Sequence, residues 1–198
     1  VSRSLLWVGG AFAVGCVPSA RLVARRLAGI DIDAVGDGKP GAANVRQVLG
    51  RKAGYLVAGM DLAKGYLPAT LAKLGGAGEN TVGAVAIAPE LAHVLVVGGR
   101  GAATALGAVF AIDTPAMLIA GTEIVAGTKI GYHPQAVILG ALGLLPIRLL
   151  IRRRALAGFW GVMPGTIMVY ARLRGSSDVG PTTDPAVLWN RFWSDRDH

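Results

Sequence analysis

Long apolar blocks separated by short polar, glycine-rich stretches run along this chain. Residues 5–27 form the first block, with Pro18 inside it and Arg21, Arg25 and Arg26 towards its far end. Residues 53–74 form the second and carry Asp61 and Lys64 three positions apart, on one helical face. Residues 81–97 form the third and hold Pro89, Glu90 and His93. Blocks of this length predict membrane-spanning helices, and their charged residues must face protein or water because charge facing lipid is costly. Between residues 102 and 126 two readings stand: one span, or two short helices broken at Asp113 and Pro115. Residues 136–151 form a further apolar run that ends in arginines. Residues 159–170 are too short to cross a hydrocarbon core untilted and read as re-entrant, or as a short helix inside a bundle. From Arg174 the chain is polar and closes on an amphipathic segment, LWNRFWSDRDH, expected at the interface or in solution. The expected fold class is all-α: a polytopic transmembrane helix bundle of about five to seven membrane helices, several short or broken. Residues 1–173 would form the membrane domain and 174–198 a polar tail.

Composition supports a membrane protein. Only 16% of the 198 residues are charged, against about a quarter in soluble domains, 53% are hydrophobic and mean hydropathy is +0.51. The 29 glycines suit helices that pack through small residues. A net charge of +8 would suit nucleic acid, but the basic residues gather at the ends of apolar runs (Arg51 and Lys52; Arg148 and Arg152 to Arg154). That is the pattern of membrane anchors, and without aromatic–basic interleaving no nucleic-acid partner is expected. Cys16 is the single cysteine, so no internal disulfide forms. Only Arg3 precedes the first block and its basic cluster follows it, so a retained span is expected rather than a signal peptide. The heaviest positive load lies between the first two blocks, which places that loop in the cytoplasm and the N-terminus outside. Alternation then puts residues 75–80 outside and residues 98–101 inside, so both glycine-rich basic turns share the cytoplasmic side.

Three constellations could carry chemistry. Gly36-Asp37-Gly38-Lys39-Pro40-Gly41-Ala42-Ala43-Asn44, with Arg46, offers the backbone N–H groups, side-chain amide and cations of a phosphate cradle; an ordinary cytoplasmic connector has the same turn formers. Gly98-Gly99-Arg100-Gly101, leading into Ala102-Ala103-Thr104, would set glycines and a cation at a helix start; a plain interhelical turn is the alternative. Asp61 with Lys64 reads first as a pair that neutralises itself inside the membrane. His93, three residues after Glu90, could act as a base. No second ligand pair of suitable spacing accompanies it, so no metal is expected, and His133 reads as solvated.

Together these residues resemble the bacterial acyl-phosphate:glycerol-3-phosphate acyltransferases. The resemblance begins at Gly15-Cys16-Val17-Pro18, Leu22-Val23-Ala24-Arg25 and Gly29-Ile30-Asp31-Ile32. It continues through VGDGKPGAANVRQVLGRKAG and Asp61-Leu62-Ala63-Lys64-Gly65, like the family's D-x-x-K-G, to Ala92-His93, GGRGAAT and Asp113-Thr114-Pro115. It implies a seven-helix inner-membrane enzyme, N-terminus outside, that moves a fatty acyl group from acyl phosphate to glycerol 3-phosphate and gives lysophosphatidic acid without a cofactor. The catalytic residues expected on this resemblance are Asp37, His93 and Arg100, with Arg46, which stands beside the family's arginine position. The implied substrate-binding residues are Gly38, Lys39, Gly41, Asn44, Lys64, Gly98, Gly99 and Thr104, with acyl phosphate, glycerol 3-phosphate and membrane lipids as partners. The chain departs from the pattern at Asp37 (serine in the family), Lys39 (asparagine), Gln47 (arginine) and Arg100 (lysine). About five residues are missing between His93 and Gly98 relative to the family pattern, and its last motif survives only faintly around Tyr170 to Gly175. A catalytically degenerate paralogue that binds phospholipid or a phosphorylated ligand is the alternative, and a small transporter using Asp61, Lys64 and Glu90 is a third.

Overall fold

The structure, a computed structural model, describes residues 2–132, 135–136, 139, 155–175 and 181–194. The expected run 136–151, Arg152 to Arg154 and His133 lie wholly or mostly outside the described residues. Among the described residues every regular element is helical.

The first apolar block forms two helices, α1 (Arg3–Gly15) and α2 (Ser19–Ala28), where one continuous span was expected. Pro18 is the reason: it cannot donate to the preceding turn, and the helix starts afresh after it. α1 is apolar nearly throughout, whereas α2 is amphipathic and buries Ser19, Ala20, Val23 and Ala24. A 3-10 turn (Ile32–Ala34) and a loop lead to the short α3 (Ala42–Leu49), and α4 (Arg51–Leu74) follows after Gly50 alone. At 24 residues, α4 is about 36 Å long, enough to cross a bilayer core. It is the central helix and touches α1, α2, α3, α5 and α6.

α5 (Glu79–Ala92) runs into a π-helical turn, His93–Val97, four residues after Pro89. α6 (Ala102–Ile112) and α7 (Thr114–Lys129) are separate helices broken at Asp113, the second of the two readings for this stretch. α8 (Ala155–Arg174) is 20 residues long, so the expected short segment 159–170 is corrected to a full-length helix. The terminal amphipathic segment, α9 (Pro185–Ser194), folds back on α8 instead of lying free: Phe192 and Trp193 pack on Met168, and Arg191 is fully buried.

The core is made of small residues. Ala69, Ala72, Ala86, Ala88 and Ala108 meet between α4, α5 and α6, while Leu6, Leu67, Leu71, Leu74 and Leu118 point outward and are more than half exposed. Large apolar residues outside and alanine inside is the arrangement of a bundle solvated by lipid.

Candidate active site

Three segments meet at one end of the bundle, and each is shaped locally. The first is the loop before α3. The Asp31 side chain accepts from the N–H of Asp33 (3.2 Å) and starts the 3-10 turn, and Asp37 accepts from the N–H of Lys39 (3.0 Å). Asn44, only 1% exposed, reaches back from α3 into this loop. Its Nδ2 donates towards the carbonyls of Ile32, Val35 and Lys39 (3.1, 3.0 and 3.2 Å), and its Oδ1 accepts from the N–H of Asp37 (3.1 Å). That uses up the amide's donors. Asn44, expected to orient a ligand oxygen, instead clasps its own loop. Gly36 has φ 67°, and a Cβ there would strike the Asn44 side chain.

The second segment is the turn after the π-helical residues. Gly98 and Gly101 are left-handed (φ 84° and 76°), and Gly99 packs so closely on the His93 ring that any side chain there would overlap the imidazole. Arg100 donates Nη1 to the carbonyls of Ala171 and Gly175. It thereby caps the third segment, the C-terminal end of α8, and ties it to the second.

Between them lies a cavity of about 450 Å³. Gly38 and Lys39 form one wall and Gly98, Gly99 and Arg100 the other, with Arg21, Asp33 and Arg174 completing it. Arg21 Nε and Asp33 Oδ2 form an ion pair at 2.6 Å. Four cationic side chains against one carboxylate leave a positive cavity with glycine backbone on both sides, which suits phosphate groups.

Beneath the cavity a buried polar chain crosses the helices. Lys64 Nζ donates to Asp61 Oδ1 (2.7 Å) and to the carbonyl of Val17 (2.6 Å), at the break before α2. His93 Nδ1 stands 4.0 Å from the same Asp61 oxygen, and all three side chains are buried.

Of the expected site residues, the structure therefore brings together Gly38, Lys39, Gly98, Gly99 and Arg100. Asp37 is exposed beside them, Gly41 caps α3, and His93 lies under Gly99. Lys64 and Thr104 are buried in helix packing away from the cavity, and Arg46 opens into a different groove. Arg21, Asp33 and Arg174 were missed. Arg21 and Arg174 read as basic residues flanking apolar runs, and only the opposite charge of Asp33, 12 residues after Arg21, hinted at a pair.

A bundle with lipid-facing leucines and a cationic, glycine-walled cavity at one end defines an integral membrane protein with a site suited to phosphate groups. The family model described as glycerol-3-phosphate acyltransferase matches residues 5–177, and the chain belongs to that family. A glycerol-3-phosphate acyltransferase of Geotalea daltonii is 32% identical over 86% of this chain and 90% of its own length. One of Trichlorobacter lovleyi is 37% identical over 60% of this chain, and the match spans 63% of that relative, a little under two thirds. Among solved structures, that of PlsY (YgiH), an integral membrane glycerol 3-phosphate acyltransferase in its glycerol 3-phosphate form, is similar with a TM-score of 0.77. It is 28% identical, with 86% of this chain and 88% of that chain covered.

Proposed function

We propose that this protein transfers a fatty acyl group from acyl phosphate to glycerol 3-phosphate, at the cytoplasmic face of the inner membrane. The observation that carries the reading is the convergence of Gly38 and Lys39 with Gly98, Gly99 and Arg100 on one cationic cavity, in a chain of this family. Residues 1–173 act as the catalytic membrane domain, and the tail from residue 174 closes the cavity rim through Arg174, Gly175 and Pro181.

Two phosphates must come together, and their mutual repulsion is offset by Lys39, Arg100, Arg21 and Arg174. The glycines let backbone N–H groups approach phosphate oxygens. The acceptor hydroxyl oxygen attacks the acyl carbonyl carbon, the bond to the phosphate oxygen breaks, and phosphate leaves with the electron pair. Acyl phosphate is already activated, so bringing hydroxyl and carbonyl together supplies most of the rate. The hydroxyl proton has two acceptors at hand, Asp33 on the wall and His93 under Gly99.

Arg100→Ala would also remove the tie to α8, so Lys39→Ala is the cleaner test. Acyl transfer from palmitoyl phosphate to radiolabelled glycerol 3-phosphate, by purified protein, is expected to show KM for the acceptor raised about tenfold or more in Lys39→Ala, since a charge-assisted contact is lost. An unchanged KM in that variant, or no product from the folded wild-type protein, would overturn the assignment.

A further inference from the structure

A second groove, of about 340 Å³, lies between α3, α4 and α7 and, among the described residues, shares no lining residue with the cationic cavity. Two cations stand at it, Arg46 in the last turn of α3 and Lys129 in the last turn of α7. Neither side chain has a hydrogen bond or ion pair among the described residues, and no carboxylate among those residues lines the groove. The rest of the described wall is apolar or small: Ala42, Ala43, Gly54, Ala58, Tyr55 and Val125, the last two 66% and 56% exposed. Gly54 keeps the groove narrow at its base, because a Cβ there would collide with Arg46 and α3 could not approach.

Unpaired positive charge beside an open apolar wall is complementary to an anion that carries a hydrocarbon tail. Tyr55 sits in the first turns of α4, near the bundle end that holds the basic loops, where an interfacial tyrosine meets lipid head groups. We propose that this groove binds the phosphate head group of an anionic membrane lipid. Arg46 and Lys129 hold the phosphate oxygens, and an acyl chain lies along Tyr55, Ala58 and Val125. The site is separate from the acyl-transfer cavity and does not depend on that reaction. It also gives Arg46 a role outside the cavity it does not line.

The test is equilibrium binding of radiolabelled phosphatidic acid to the purified full chain in micelles of a neutral detergent. The double variant Arg46→Ala/Lys129→Ala is expected to bind at least about tenfold more weakly. The charge-keeping pair Arg46→Lys/Lys129→Arg should stay close to wild type, and phosphatidylcholine should not compete. Lys129→Glu, at an exposed position, provides a second variant should the double variant fail to fold. Unchanged binding in the folded variants, or binding lost in Lys39→Ala instead, would overturn the proposal. Displacement of the lipid by inorganic phosphate alone would overturn the lipid assignment in favour of a small-anion site.

Discussion

The residue pair with the most at stake is Asp61 and Lys64, buried together at 2.7 Å within α4. Lys64→Ala leaves a buried carboxylate without its cation, and Asp61→Ala leaves a buried ammonium held only by the Val17 carbonyl. Each single change is expected to cost about 3–5 kcal/mol. The double variant should lose clearly less than the sum of the two, since it strands no charge. Unfolding of purified protein in detergent measures all three; single variants within about 0.5 kcal/mol of wild type would show that the pair is not buried as described. The sequence reading of this pair as self-neutralising was legible because side chains three apart on a helix are neighbours, so opposite charges there lie within reach of one another. Asn44 was not legible in the same way. An asparagine in a glycine-rich loop looks the same whether it serves a ligand or three carbonyls of its own chain, and only the fold distinguishes them. Arg46 and Lys39 likewise carry equal charge a few residues apart, but α3 begins between them and turns Arg46 away from the cavity.

At the scale of elements, the α4–α6 crossing holds the bundle together, and two glycines permit it. A Cβ on Gly65 would run into the Thr104 carbonyl, and one on Gly107 into the Leu62 carbonyl, so each helix presses its backbone on the other. Gly65→Val and Gly107→Val should each destabilise by about 2–3 kcal/mol through overpacking against backbone that cannot yield. Gly59 lies in the same helix with nothing within 4 Å of a would-be Cβ. Gly59→Ala should therefore be neutral or slightly stabilising, by up to about 1 kcal/mol of helix propensity. Melting temperatures in one detergent compare the three; equal losses at positions 59 and 65 would remove the close-packing explanation. Helix locations were mostly visible beforehand, because apolar blocks mark them and Asp113 with Pro115 marks a break. The separation of α1 from α2 was less visible, since the hydropathy of Arg3–Ala28 suffices for one span and the amphipathic face of α2 emerges only when Ala20, Val23 and Ala24 meet α3 and α4. Hydropathy also concealed the docking of α9, which depends on Arg191 donating to the Leu173 carbonyl at the end of α8.

For the whole molecule, the two ends of the bundle differ in a way that fixes its expected orientation. Arg3 donates to the Gly75 carbonyl (3.1 Å) and Ser4 bonds Thr81 (3.0 Å), so the start of α1 and the turn after α4 share one end. The loop before α3 and the turn from Gly98 to Gly101 share the cavity at the other, and α4 spans the distance between. The cavity end carries Arg21, Lys39, Arg100 and Arg174 against Asp33, whereas the other end carries only Arg3 and Lys73 against Glu79 among its described residues near Gly75. On the positive-inside rule the cavity end is expected in the cytoplasm, where the two phosphorylated substrates of the proposed reaction would meet it. Labelling with a membrane-impermeant maleimide tests this in a Cys16→Ala background, because Cys16 is the single native thiol. Glu79→Cys, exposed at the start of α5, should label in intact spheroplasts. Asp31→Cys, exposed in the loop before α3, should label only after the membrane is opened. The reverse pattern would invert the protein and put the cavity on the wrong side for soluble phosphorylated substrates. Labelling of both sites from one side would mean that α4 does not cross the membrane, and the bundle would have to sit in lipid differently from the way its exposed leucines require.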